Sequence, residues 1–163
     1  MALQLVIGNK NYSSWSMRPW VLMRQFAIAF EEVKLRFDFA PGSPFRRELA
    51  NFSPSGKVPV LWDHGEAIWD SMAILMYLAD KAGHDRFWPR DMHARGLAYA
   101  MCAEMHSGFA SLRAALPMNI KAHFPGFKVW SRAQADIDRV LEIWRECLAK
   151  YGGPYLFGKD VSL

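Results

Sequence analysis

Cysteine is almost absent. Cys102 and Cys147 are the only two in 163 residues, they stand far apart in stretches of helical periodicity, and no C-x-x-C occurs. That excludes a redox dithiol and a cysteine-based zinc site, so no metal is expected and a reducing, cytoplasmic setting is. Long apolar runs are missing too: the longest, such as Met72–Leu78, fall well short of the roughly 20 residues a membrane span needs. Leu3–Ile7 is too short for a secretory core and has neither a basic start nor a cleavage site, so no secretory signal is expected. Blocks of like charge are also lacking. Lys and Arg number 20 against 16 Asp and Glu, a net charge of +4, but the basic residues are scattered among acidic ones and make no stripe for nucleic acid. Neither an internal repeat nor a low-complexity segment is visible.

What the chain does hold is apolar material, 52% of its residues, ample for one large domain or two small ones. Leu3–Ile7 reads as a buried strand bounded by Gly8-Asn9. A polar loop from Asn11 runs into a helix that begins around Trp15 to Pro19 and continues through Phe26 to Ala29, because proline is tolerated in a first turn and serine is a preferred N-cap. Glu32–Phe39 alternates as a second strand, with Val33, Leu35 and Phe37 on one face, and Phe45–Asn51 reads as a short helix. Ser71–Ala82 is a helix whose Met72, Ile74, Leu75, Met76 and Leu78 spread around most of its circumference, which predicts burial on two faces. Gly83–Pro89 reads as a linker. From Asp91 only helical periodicity remains. Leu97, Met101, Met105, Phe109, Leu112 and Leu116 predict one long helix ended by Pro117. Ser131-x-x-Gln134 predicts a capping box opening another, with Ala133, Ile137, Val140, Leu141, Trp144, Leu148 and Tyr151 on one face and a stop at Gly152-Gly153-Pro154.

The stretch Gly56–Ser71 organises the rest. Val58, Val60 and Leu61 favour strand, Asp63-His64-Gly65 supplies turn chemistry, and Ala67-Ile68-Trp69 resumes the apolar run, a hairpin pattern. Pro59 cannot donate to a ladder and belongs at a strand edge or start, and Val58-Pro59 is a bond that turns cis cheaply. A cis bond would turn the Val58 backbone outward, where an extended peptide could pair with it. Asp70-Ser71 then places a carboxylate and a hydroxyl beside the free N–H groups of the next helix.

The V-P-x-L turn followed by Asp70-Ser71 resembles the thioredoxin-like, glutathione-binding domain of the cytosolic glutathione transferases. Tyr12-Ser13-Ser14-Trp15-Ser16-x-Arg18 is similar to the serine-type members, closest to the zeta class, in which a serine-serine-cysteine run precedes a serine and an arginine. Trp15 stands where that class has its cysteine, which speaks against zeta isomerase activity and excludes a cysteine-type transferase. The resemblance implies an α+β fold: a βαβαββα domain over 1–83, a linker over 84–90 and an all-α domain over 91–163. In the family further helices follow a segment like Gly153–Gly158, and Ser162-Leu163 would open the next, so a truncated product with exposed apolar surface is expected. A two-fold homodimer is implied as well.

A free thiol has a pKa near 8.5, and lowering it by about two units needs roughly 2.7 kcal/mol, within reach of one hydroxyl hydrogen bond to the anion plus a helix N-terminus. By the resemblance, Ser13 would donate to the sulfur of glutathione, with Ser14 the neighbouring candidate. Val58 would pair its backbone with the cysteinyl unit beside Pro59, Asp70 and Ser71 would hold the γ-glutamyl amine and carboxylate, and Lys57 would meet the glycyl carboxylate. Trp15 and Trp20 would wall the site. His106 beside Glu104 falls where the family walls its second pocket, although a structural histidine is the simpler role. The function implied is a glutathione transferase that uses glutathione as co-substrate on a small hydrophobic electrophile, by conjugation or isomerisation, as in detoxification. The alternative is an inactive interaction module of the same fold. A thiol-disulfide oxidoreductase would need an active-site cysteine that the sequence lacks.

Overall fold

The computed structural model describes residues 2–163, which divide into two compact units. One takes the chain up to Leu78 together with Met118–Lys121, the other Ala79–Pro117 and Ala122–Leu163.

In the first unit the order is β1 (Leu3–Ile7), α1 (Ser14–Gln25), β2 (Phe30–Lys34), α2 (Phe45–Phe52), β3 (Val60–Asp63), β4 (Glu66–Trp69) and the start of α3 (Ser71–Ala82). The strands lie in the order β2-β1-β3-β4. A helical crossover makes β1 and β2 parallel, whereas β3 runs antiparallel to β1 and to β4, which it meets through the tight turn at His64-Gly65. The inner strands carry near-continuous apolar runs, with Leu5, Val6, Val60 and Leu61 fully buried. The edge strands admit Glu31, Glu32 and Glu66 because one side of each meets solvent. Val6, Leu35, Phe45, Leu49 and Val60 form a core cluster with Val33, Phe37, Val58 and Trp62 packed on it. This is the thioredoxin-like α+β arrangement that the resemblance implies.

Three local expectations fail. β2 starts at Phe30 and ends at Lys34, and Leu35 and Phe37 reach the core from the chain beyond it. α1 begins at Ser14, so Pro19 sits inside the helix and not in its first turn. In α3, Ile74, Leu75, Leu78 and Ala79 are buried but Met76 is 51% exposed. That is one broad apolar side, not two.

The second unit is helical. After a 3-10 turn at His84–Arg86 come α4 (Met92–Ser107), α5 (Ala110–Ala115) and α6 (Ser131–Tyr151). The single helix predicted to run to Pro117 is broken at Gly108-Phe109. Phe109 is left-handed, φ 61°, a costly conformation for a bulky residue. Its ring is buried with Val140 and Ile143, with Met101, Met105 and Leu112 packed around them, and that burial offsets the cost. Arg113 satisfies carbonyls freed by the break, donating from Nε to the Gly108 oxygen at 3.1 Å and from its terminal nitrogen to the Met105 oxygen.

The capping box does not form. Trp130 takes the N-cap position of α6 without a side-chain bond, and Gln134 turns to Asp138 at 2.8 Å. The stripe also differs from the predicted one: Ala133, Val140, Ile143 and Cys147 are buried, while Trp144 and Leu148 face solvent. Spacings of seven, three and four residues are those of a helix–helix seam. Burial pushes the Cys147 thiol pKa up. No helix among the described residues is long and apolar enough to cross a membrane.

Candidate functional site

The loop after β1 is folded by its own asparagines. The Asn9 side chain accepts the Asn11 N–H at 2.8 Å, and the Asn9 carbonyl accepts the Ser13 N–H at 2.8 Å, the side-chain-for-backbone substitution for which asparagine suits turns. This delivers Ser13 to the N-cap of α1. Its buried Oγ accepts the Ser16 N–H at 3.4 Å and donates to Ser16 Oγ at 2.8 Å, which also accepts the Gly8 N–H at 3.1 Å. The Phe37 ring packs directly on Gly8, where a Cβ would stand 2.1 Å from it and force the ring to move. Ser14, the first residue of α1, is half-buried, and among the described residues its hydroxyl makes no hydrogen bond. It stands at the positive end of the helix.

Across the sheet, the Val58-Pro59 bond is cis, and Val58 is half-buried against the core cluster. Its N–H and C=O make no hydrogen bond among the described residues. The chain leading to it is fixed by Ser53, whose Oγ accepts the Lys57 N–H at 3.0 Å and donates to the Lys57 carbonyl at 2.6 Å. The Lys57 side chain is exposed. β3 pairs Val60 with Val6 on one side and with Trp69 on the other. Both ladders end at Val60, beside the cis bond and opposite Val6 near the carboxyl end of β1. Open sheets of this kind hold ligands at such ends.

The Asp70-Ser71 pair opens α3. Asp70 is left-handed, φ 73°, and its Oδ1 caps the helix, accepting the Met72 N–H at 2.8 Å and the Ala73 N–H at 3.4 Å. Ser71 is buried, and its Oγ lies 3.5 Å from an Arg18 guanidinium nitrogen. The same guanidinium lies over the Trp15 ring at 4.2 Å, a cation–π contact. Arg18 therefore joins α1 to the start of α3. Trp20 is used elsewhere: its Nε1 donates to Glu32 at 2.7 Å, and Lys10 Nζ reaches the same carboxylate at 2.8 Å. Burial would raise the Glu32 carboxyl, but the bonds from Lys10 and Trp20 and the nearby Lys10 and Arg24 charges outweigh it and hold the pKa below the ordinary value.

The structure thus places Ser13 and Ser14 at the head of α1, links Trp15 to Ser71 through Arg18, and presents Lys57 and Val58 on a loop held by Ser53. The Arg18–Ser71 contact and the Ser53 clasp were missed from sequence. The spacing of Arg18 within the serine run was their one visible signal. In the second unit Glu104 faces Arg139 at 2.8 and 3.1 Å, and that bond lowers its pKa. No cluster of three His, Cys, Asp or Glu residues suited to a metal occurs among the described residues.

The model of the glutathione S-transferase N-terminal domain matches residues 12–81, which take in both serines, the Val58-Pro59 turn and Asp70-Ser71. A glutathione S-transferase hmp2 from Hypomyces subiculosus is 33% identical over 155 residues, covering 90% of this chain and 71% of that protein. A zeta-class glutathione S-transferase from Euphorbia esula is 28% identical over 154 residues, covering 93% of this chain and 67% of the relative. Among solved structures, a glutathione transferase homolog from Burkholderia with bound glutathione superposes with a TM-score of 0.67 at 21% identity, over 99% of this chain and 75% of that one, a likeness of fold. Similarity to hmp2 over nine-tenths of the sequence, with the N-terminal domain match across the serine loop and the Val58 turn, makes the chain a member of the glutathione S-transferase family.

Proposed function

We propose that glutathione pairs with the Val58 edge and reaches the start of α3, and that its sulfur is held as a thiolate by a hydroxyl of the Ser13-Ser14 pair. The Val58 N–H and C=O pair with the cysteinyl unit, a one-residue strand addition that supplies two backbone hydrogen bonds. Asp70 and Ser71 receive the γ-glutamyl end, Lys57 the glycyl carboxylate, and the Trp15 ring flanks the thiol. The thiolate then attacks the electrophilic carbon of a small hydrophobic substrate, forming a C–S bond as the leaving group departs. The observation that carries this reading is the Val58 backbone, left unpaired beside its cis bond in the unit whose helix α1 opens on a Ser14 hydroxyl that makes no hydrogen bond among the described residues.

The Ser14 hydroxyl is free to donate. The Ser13 hydroxyl donates to Ser16 Oγ at 2.8 Å and would have to give up that bond to serve the sulfur. The domains proposed are a glutathione-binding one over 1–83 and a helical one from 91, joined by 84–90. The setting proposed is the cytoplasm, and the working form a homodimer.

Ser13→Ala and Ser14→Ala test the reading. A hydrogen bond to a charged acceptor contributes about 1.5 to 3 kcal/mol, so losing the right one should raise the pKa of bound glutathione by about one to two units. That shift is read by ultraviolet titration of the thiolate and should bring a matching loss in kcat at little change in KM for glutathione. Ser71→Ala should instead weaken glutathione binding. If neither serine variant moves the titration, the assignment of the hydroxyl is wrong. If the unaltered protein is not retained on immobilised glutathione, the reading fails entirely.

A further inference from the structure

Met118–Lys121 lies more than a hundred residues from the serine loop, yet it belongs to the first unit. Asn11 makes three hydrogen bonds to it. Asn11 Nδ2 donates to Asn119 Oδ1 at 2.8 Å, Asn11 Oδ1 accepts the Lys121 N–H at 2.8 Å, and the Asn11 carbonyl accepts the Ile120 N–H at 3.3 Å. Both ends of the Asn11 amide and its backbone oxygen are thereby committed to one short segment. Asn11 is itself fixed by Asn9, whose carbonyl also sets Ser13 at the helix N-cap. One turn thus aims the serines and grips a distant piece of chain.

The segment carries apolar side chains beside a polar loop. Met118 is half-buried and Ile120 is 63% exposed. Asn11 and Ser14 are three positions apart, so the chain can place their Cα atoms at most about 11 Å apart. Ile120, whose N–H bonds the Asn11 carbonyl, thus presents an exposed apolar side chain next to the loop that carries the serines.

We propose that Asn11 is a positioning residue that fixes Met118–Lys121 beside the serines, so that Met118 and Ile120 contact the apolar body of the electrophile and set its selectivity. The proposal rests on the transferase reading above for its second half only. The latch itself is a property of the unliganded protein. The Asn11 amide matches the segment in both senses, donor to Asn119 and acceptor from Lys121. Asn11→Asp keeps the acceptor and loses the donor, and Asn11→Ala loses both.

Two measurements test it. In hydrogen exchange of the ligand-free protein, the Ile120 and Lys121 amides should exchange at least tenfold faster in Asn11→Ala than in the unaltered chain, with Asn11→Asp between them. In turnover, the ratio of kcat/KM for chlorodinitrobenzene to that for iodomethane should change at least fivefold in Asn11→Ala and in Ile120→Ala, while KM for glutathione stays within twofold. Unchanged exchange overturns the latch. Faster exchange with an unchanged ratio overturns the selectivity role. An equal loss on both electrophiles together with weaker glutathione binding also overturns it, because Asn11 would then be acting on the serine loop alone. If the unaltered protein neither binds nor turns over glutathione, the transferase reading and the selectivity role fall together, and the exchange result still decides the latch.

Discussion

The two units reach stability by different routes. In the first, four strands enclose a dry core, with Leu5, Val6, Val60 and Leu61 at 0% exposure, and the loops at its edge are tied by side-chain bonds from Asn9, Asn11, Ser16 and Ser53. In the second, the cluster at the helix break is shallower, with Phe109, Val140 and Ile143 each keeping 7–9% of their surface, and the Arg139–Glu104 pair is open to solvent, where such pairs contribute little. The polar groups of the candidate site all sit on the dry unit. A hydroxyl or a backbone edge can be aimed at a ligand only if its support is rigid, and a sheet with fully buried inner strands and tied loops provides that better than the shallower cluster at the helix break.

Core truncation should show the contrast most strongly. Leu61→Ala is expected to cost about 3 to 5 kcal/mol and Ile143→Ala about 2 kcal/mol, since a cavity in the better-packed region relaxes less. Urea unfolding of each variant checks this, and the opposite order would break the comparison. Helix caps should give smaller effects of opposite sign. Asp91 Oδ1 accepts the Ala94 N–H at 2.8 Å at the head of α4, so Asp91→Ala should lose about 1 kcal/mol, whereas Trp130→Ser, which adds the missing cap to α6, should gain about 0.5 to 1 kcal/mol. Thermal melts would read both. A Trp130→Ser variant no more stable than the parent would show that the exposed Trp130 ring contributes something the cap does not replace.

The smallest effect expected belongs to Glu32 and appears only as a function of pH. Its folded pKa lies below the ordinary 4.5, so it adds stability that is complete above the unfolded value and lost as pH falls through the folded one. Glu32→Gln should accordingly be slightly less stable than the parent near neutrality, with the gap closing on acidification through the carboxylate range. A gap that widens in acid would reverse the assignment.

Much of the first unit was legible because strand signals and turn chemistry coincide there: Leu3–Ile7, the Asp63-His64-Gly65 turn and the bounds of α3 all follow from local residues. β2 was misplaced because Leu35 and Phe37 are apolar for the core rather than for the strand. In the second unit periodicity located helical chain but not its interruption, since the break at Phe109 depends on where a ring finds Val140 and Ile143. Ser131 and Gln134 fit the capping pattern, yet the helix began one residue early and the pattern went unused. At the site, residue types suited to a thiol and a peptide could be read from the serine run and the Val58 turn. The bonds that hold them, from Ser53, Arg18 and Asn11, join positions four to more than a hundred residues apart, and no local rule announces them.

The hydrogen that Gly8 gives to Ser16 has a consequence for heat and denaturant. It ties the residue that follows β1 to the first turn of α1, so the two ends share one bond. Any opening that reaches the end of β1 should disarm the serine loop at the same moment, and reactivity should vanish in step with the sheet instead of ahead of it.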